Sequence, residues 1–207
     1  MMAIAQPAQQ HTDVEPEFSI QIAELLPAQG DWSEEGYLWL TDSTNRLIEF
    51  TNGRIEVLPM PTDKHQTILF YLSRVFFAIA QSINGKVLFS PIRLRLKNGR
   101  FREPDLLLLR SADDPRRQNK YWDGADLVVE VVSPDNPDRD LVTKRRDYAQ
   151  AGIPEYWIVN PQTETITVLR LERAKYAEHG VFARGAVASS ALLSGFEVRV
   201  DEVFDTD

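Results

Sequence analysis

The sequence places a glutamate where a hydrophobic strand should be. Glu130 stands between Val128, Val129, Val131 and Val132. An ionised carboxylate there costs several kcal/mol unless a cation or a hydrogen-bond donor answers it. Asp105, which follows Pro104 and precedes four leucines, is the best carboxylate partner from another stretch of chain. Two carboxylates on adjacent strands, with a main-chain carbonyl and waters, make a hard-oxygen site of the kind Mg²⁺ or Mn²⁺ prefers. The competing reading is that Glu130 faces a buried arginine or lies at the wet end of its strand.

Lys144 is the third candidate. Leu141, Lys144, Tyr148 and Ala151 recur at helical spacing, which puts the lysine on a stripe otherwise used for packing and aims its ammonium at the core. A point cation beside a metal can orient an attacking water or offset the charge that builds on a phosphorane. The plainer alternatives are an i,i+4 pair with Asp140 or a stem that carries its head to water. His65 can reach a substrate or a metal-bound water, with Glu49 and Glu56 on the preceding segment, although a lone histidine in a first helical turn reads more naturally as a polar surface residue. With 3 histidines and no cysteine, a zinc site of the usual ligands is not expected. Phosphate-binding, dinucleotide-binding and nucleophile-elbow motifs are all missing from the sequence, so nothing supports those chemistries.

The elements that must carry these residues can be read from periodicity. Apolar runs flank Asn52-Gly53, the pair best suited to a tight turn, and predict an N-terminal β-hairpin. Ile68, Leu69, Leu72, Val75, Phe76, Ile79 and Ile83 predict a helix over 62–84, capped by Thr62 or Asp63 and ended by Asn84-Gly85. Alternation in 93–103 predicts a second hairpin with Leu94 and Leu96 on one face and Arg93, Arg95 and Lys97 on the other. With a two-residue turn, Phe101 and Asp105 share the leucine face. The near-continuous apolar run at 126–132 predicts a central strand covered on both sides. A helix should open at Asn136-Pro137-Asp138 and end near Gly152. Strands are expected at 153–161 and 165–171, then short strands and a closing turn.

Bulk properties set limits. The 207 residues suit one core, expected over 18–207, after a disordered tail at 1–17. No apolar run approaches the length needed to span a bilayer, and the tail does not read as a secretory signal. Together with the missing cysteines this suggests a cytoplasmic protein. The net charge of −8 is awkward for a nucleic-acid binder. Its distribution softens the objection, because residues 93–146 hold 13 basic and 10 acidic side chains, making the middle of the chain the plausible polyanion face.

The strings EPDLLLLR and DLVVEVVSPDNPDRDLVTKRRDYAQAGIPEYWIVNP, with TNGRIEVLPMPTDKHQ before them, resemble the Uma family of restriction-endonuclease-like proteins within the PD-(D/E)XK nuclease superfamily. The resemblance covers roughly residues 36–204. It implies an α/β (α+β) fold with a mixed central sheet flanked by helices, and a divalent ion, Mg²⁺ or Mn²⁺, between Asp105, Glu130 and the carbonyl of Val131. One place departs from the superfamily's pattern. Its lysine stands two residues after the glutamate, where this chain has Val132, and Lys144 is the natural replacement from the helix. Glu49, Glu56 and His65 match the family's N-terminal pattern as an outer ring.

The expectation is metal-dependent hydrolysis of phosphodiester bonds in DNA by a homodimer, since symmetric cutting of two strands favours a two-fold assembly. The alternatives are a binding module for nucleic acid or protein, whose metal site has decayed, and a phosphodiesterase acting on small nucleotides or RNA.

Overall fold

The structure, a computed structural model, describes residues 26–97 and 99–206; the tail expected at 1–17 lies outside them. In chain order the elements are α1 (Glu34–Asp42), β1 (Ile48–Thr51), β2 (Arg54–Val57), α2 (Asp63–Ser82), β3 (Lys86–Phe89), β4 (Leu94–Leu96), β5 (Arg100–Arg102), β6 (Leu106–Leu109) and β7 (Leu127–Val131). A π-helical stretch (Arg139–Lys144) then runs into α3 (Arg145–Ala151), followed by β8 (Glu155–Asn160), β9 (Thr165–Glu172), β10 (Lys175–Phe182), β11 (Val187–Ser189), β12 (Glu197–Arg199) and α4 (Val200–Phe204).

The central sheet has the order β10-β9-β8-β7-β6-β3. It is mixed, because β7 and β8 run parallel while the other neighbours are antiparallel. All of β7 is buried. Leu127, Val129 and Val131 pack with Leu106, Leu108 and the α2 residues Ile68, Leu72 and Phe76 on one side. Val128 and Val132 pack with Leu107, Leu109, Tyr148 and Ile153 on the other. This two-sided cover is what the unbroken apolar run of β7 demands. The α2 helix begins where expected, with the Thr62 hydroxyl accepting the His65 N–H at 3.2 Å.

A second sheet, β2-β1-β5-β4, holds both hairpins. The first turns at Asn52 (φ 49°) and Gly53 (φ 78°), as their tolerance of positive φ predicts. The second differs from expectation. Leu94 pairs with Arg102, Arg95 with Phe101 and Leu96 with Arg100, so three residues rather than two make the connection. One extra residue exchanges the faces of a strand. Arg100 and Arg102 therefore share the side of Leu94 and Leu96, while Phe101 joins Trp32, Tyr37, Ile48 and Phe50 in a separate aromatic cluster. Residues 103–105 belong to neither ladder, so the face expected for Asp105 does not follow from the hairpin.

Three further corrections concern the helices. The predicted helix at 138–151 opens as a wider π turn, which buries Asp140 as well as Lys144 before Gly152 (φ 81°) ends α3. The closing turn is the short helix α4. The α1 helix, capped by the Ser33 hydroxyl on the Gly36 N–H at 2.9 Å, was not anticipated. The basic excess of 93–146 is largely matched locally: Arg93 faces Asp42, Arg95 faces Glu34 and Asp123, Arg116 faces Asp114 and Asp126, and Arg139 faces Glu56.

Candidate active site

Asp105 sits just before β6 and Glu130 near the end of the adjacent β7, so the antiparallel pairing brings the ends of both strands together. The Val131 N–H donates to Asp105 Oδ2 at 2.7 Å. Asp105, Glu130, Val131, His65, Asp140 and Lys144 all line one cavity of about 230 Å³. The sequence-derived trio of Asp105, Glu130 and Lys144 is thus assembled in one place.

Glu130 meets a lysine rather than an arginine. Its Oε1 accepts the Tyr148 hydroxyl, and its Oε2 lies 2.9 Å from Lys144 Nζ. Lys144 is also 3.2 Å from Asp140 and 3.5 Å from Glu49. Glu130 is 2% exposed and Lys144 3%, so neither charge is relieved by water. The ammonium is inside, not carried out to solvent, and its i,i+4 contact with Asp140 is a buried one.

These surroundings move the titrations. Burial alone would pull Lys144 down, but Glu130, Glu49, Asp140 and Asp105 outweigh it and push the ammonium well above its ordinary value. Burial raises Glu130 well above the carboxylate range, with Asp105 and Asp140 adding to it and Lys144 opposing. Asp140 is raised for the same leading reason. Carboxylates outnumber cations in this cavity.

The proposed outer ring divides. Glu49 touches the centre, accepting the Glu103 N–H at 3.2 Å and lying 3.5 Å from Arg102. His65 is buried rather than on the surface, with Nε2 at 3.2 Å from Asp105 Oδ2; the hydrogen bond to Asp105 raises its pKa against the effect of burial, which acts the other way and is the larger single influence. Glu56 lies at the rim, 2.7 Å from Arg139. Sequence reasoning missed Glu103, Arg102, Asp147 and the hydrogen bond from Tyr148 to Glu130, while the Lys144–Asp140 pair it offered as an alternative is present beside the Lys144–Glu130 contact. Asp140 and Tyr148 carried a signal, since they stand four residues on either side of Lys144. Arg102 was hidden by the hairpin register.

Glu103 has one carboxylate oxygen, Oε2, buried without a hydrogen-bond partner. Burial, with Glu49 nearby, pushes its pKa up to about 7. Its folded value is thus above its unfolded one, so the native state holds the extra proton and stability falls as pH rises from 4.5 to about 7. Glu103→Gln is expected to flatten that slope, matching the parent at pH 4 and exceeding it by up to ~3 kcal/mol at pH 8. Urea unfolding of both proteins across the range, in EDTA, checks this. Parallel curves would show that Glu103 ionises as freely in the fold as outside it.

Among the described residues no three acidic or imidazole side chains converge closely enough to hold an ion. The set implied by the resemblance needs only two carboxylates and a main-chain carbonyl. Its donors are hard oxygens in a cavity with surplus negative charge, and that chemistry fits a divalent cation.

A mixed sheet flanked by helices, with an acidic pair where two of its strands end side by side, defines a restriction-endonuclease-like fold. The family model Uma2, described as "Putative restriction endonuclease", matches residues 34–201, and the chain belongs to that family. A solved structure described as a "putative nuclease belonging to DUF820" from Anabaena variabilis ATCC 29413 superposes with a TM-score of 0.69 at 19% identity, covering 84% of this chain and 97% of that one. No curated protein matches the sequence. Among the described residues no helix is long and apolar enough to cross a membrane.

Proposed function

We propose that the protein is a divalent-metal-dependent endonuclease that hydrolyses phosphodiester bonds in DNA. Asp105, Glu130 and the carbonyl of Val131 would hold Mg²⁺ or Mn²⁺. The observation that carries this reading is the Lys144–Glu130 contact of 2.9 Å inside an acid-rich cavity. It puts a fixed cation beside the carboxylate, where it would offset negative charge on a reacting phosphate. A bound divalent ion would polarise a phosphoryl oxygen and make a coordinated water more acidic.

The chain's own groups do the rest. Tyr148 donates to one oxygen of Glu130 and fixes the plane of that carboxylate. The Val131 N–H and His65 do the same for Asp105. Lys144 is placed to orient the attacking water by hydrogen bonding and to offset negative charge on the reacting phosphate. Because Lys144 arrives from the helix, Val132 is free to pack in the core.

Two measurements test the proposal. Titration of the metal-free protein with Mn²⁺ should release or absorb heat, and incubation with supercoiled plasmid plus Mg²⁺ or Mn²⁺ should nick or linearise it. Asp105→Asn and Glu130→Gln should each abolish both signals. Cleavage that persists in Glu130→Gln sinks the assignment. No binding at millimolar Mn²⁺ favours instead a non-catalytic module, which the closed Lys144–Glu130 pair also accommodates.

A further inference from the structure

Beside the catalytic cavity lies a second, larger one of about 590 Å³. The two share Asn45, Pro91 and Glu103 as walls, so they adjoin along one surface. Three cations, Arg46, Arg93 and Lys120, line the second cavity, with Asp42 as its acid besides the shared Glu103. Lys120 and Asp42 also form part of a third, shallower depression walled by Trp39. That tryptophan is 63% exposed.

We infer that this trough carries the flank of the substrate, as an unpaired single strand whose phosphates meet Arg46, Arg93 and Lys120 and one of whose bases stacks on Trp39. The inference rests on the nuclease reading and names the form of nucleic acid that the site takes. Successive cations beside an exposed aromatic surface are the two components from which single-strand grooves are built. A paired base has its faces covered by its neighbours and offers none to Trp39, so the platform selects unpaired nucleotides.

The ion pairs already present do not block the trough. Asp42 holds Arg93 at 2.9 Å and Lys120 at 2.8 Å, but Asp42 is at the surface and its side chain is 41% exposed. The Lys120–Asp42 pair, with side chains 62% and 41% exposed, contributes little, and a phosphate can take the Lys120 donor; Arg93, 14% exposed, keeps Asp42 and lends the trough its charge. Among the described residues Arg46 has no carboxylate within ion-pair distance. Glu34 and Glu35, beside Trp39, keep phosphates on the Arg46 side and leave the tryptophan to a base.

The test is fluorescence anisotropy in EDTA, using a fluorescein-labelled twelve-nucleotide single strand and the corresponding duplex, with plasmid cleavage measured in parallel. Arg46→Ala/Lys120→Ala should weaken single-strand binding about ten-fold or more and reduce its salt dependence. Trp39→Ala should weaken it about five-fold or more while leaving the duplex unchanged. Asp42→Asn should tighten it. Unaltered affinity in the double variant, or equal losses for both DNA forms in Trp39→Ala, overturns the inference, and if the parent still cleaves plasmid the nuclease reading stands without it. A parent protein that neither binds nor cleaves removes both.

Discussion

Replacing Lys144 with methionine is expected to lower the unfolding free energy by ~3–5 kcal/mol at neutral pH, and the melting temperature by roughly 10 °C. Methionine fills the space of the stem but brings no charge. Glu130, Asp140 and Glu49, now 2.9, 3.2 and 3.5 Å from the ammonium, would be left facing one another with little exposure to solvent. Without a bound ion the relief is protonation, so the deficit should shrink as pH falls. Millimolar Mn²⁺ should restore more stability to the variant than to the parent, since an ion that binds only the native state stabilises it by mass action. Thermal melts at pH 5 and 7.5, with and without Mn²⁺, provide the check. A variant as stable as its parent at pH 7.5 would mean that these acids are neutral in the fold.

The second large effect is expected at Arg102. This side chain, 5% exposed, joins the small sheet to α3 through Asp147. It also reaches Glu49 at 3.5 Å and donates to the carbonyls of Phe50 at 3.3 Å and Phe101 at 3.1 Å. Arg102→Met should cost about 3 kcal/mol or more, because it takes from Asp147 its most deeply buried partner and removes donors from two buried carbonyls. Arg100 also pairs with Asp147, at 2.8 Å, but its side chain is 20% exposed. Arg100→Met should cost about 1 kcal/mol, nearer the value for surface pairs. Urea unfolding of the two variants decides it, and equal losses would show that Asp147 draws on both arginines alike.

The chain discloses its framework through local rules. A near-continuous apolar run places the central strand, the Asn52-Gly53 turn the first hairpin, and period-3.6 and period-two patterns the long α2 helix and the second hairpin, because burial leaves a regular trace. The acid pair was legible for a different reason. Glu130 breaks an apolar run, and a violation of local consistency marks a place where something else must answer it. What stayed hidden depends on single-residue geometry. Lys97 and Gly99 lie in a three-residue connection whose length no composition rule dictates, and with it went the inward turn of Arg100 and Arg102. The α1 helix pairs a weak apolar stripe with an aromatic cluster assembled from Trp32, Tyr37, Phe50 and Phe101, which only tertiary contact brings together. His65 was misplaced because the carboxylate it meets, Asp105, stands forty positions away in the chain.

The π turn at Arg139–Lys144 gives the protein a place where the length of its chain can change by one codon. Such a turn is an ordinary helix with one residue too many, and Val142 within it is 58% exposed, so no packing depends on its side chain. Loss of that single codon would close the wide turn into an α-helical one and bring Asp140 and Lys144 from four residues apart to three. Residues three apart still share a helix face, so the acid and the ammonium should stay on one side of the segment, and a shortening that would put an ordinary helix out of register can be absorbed here.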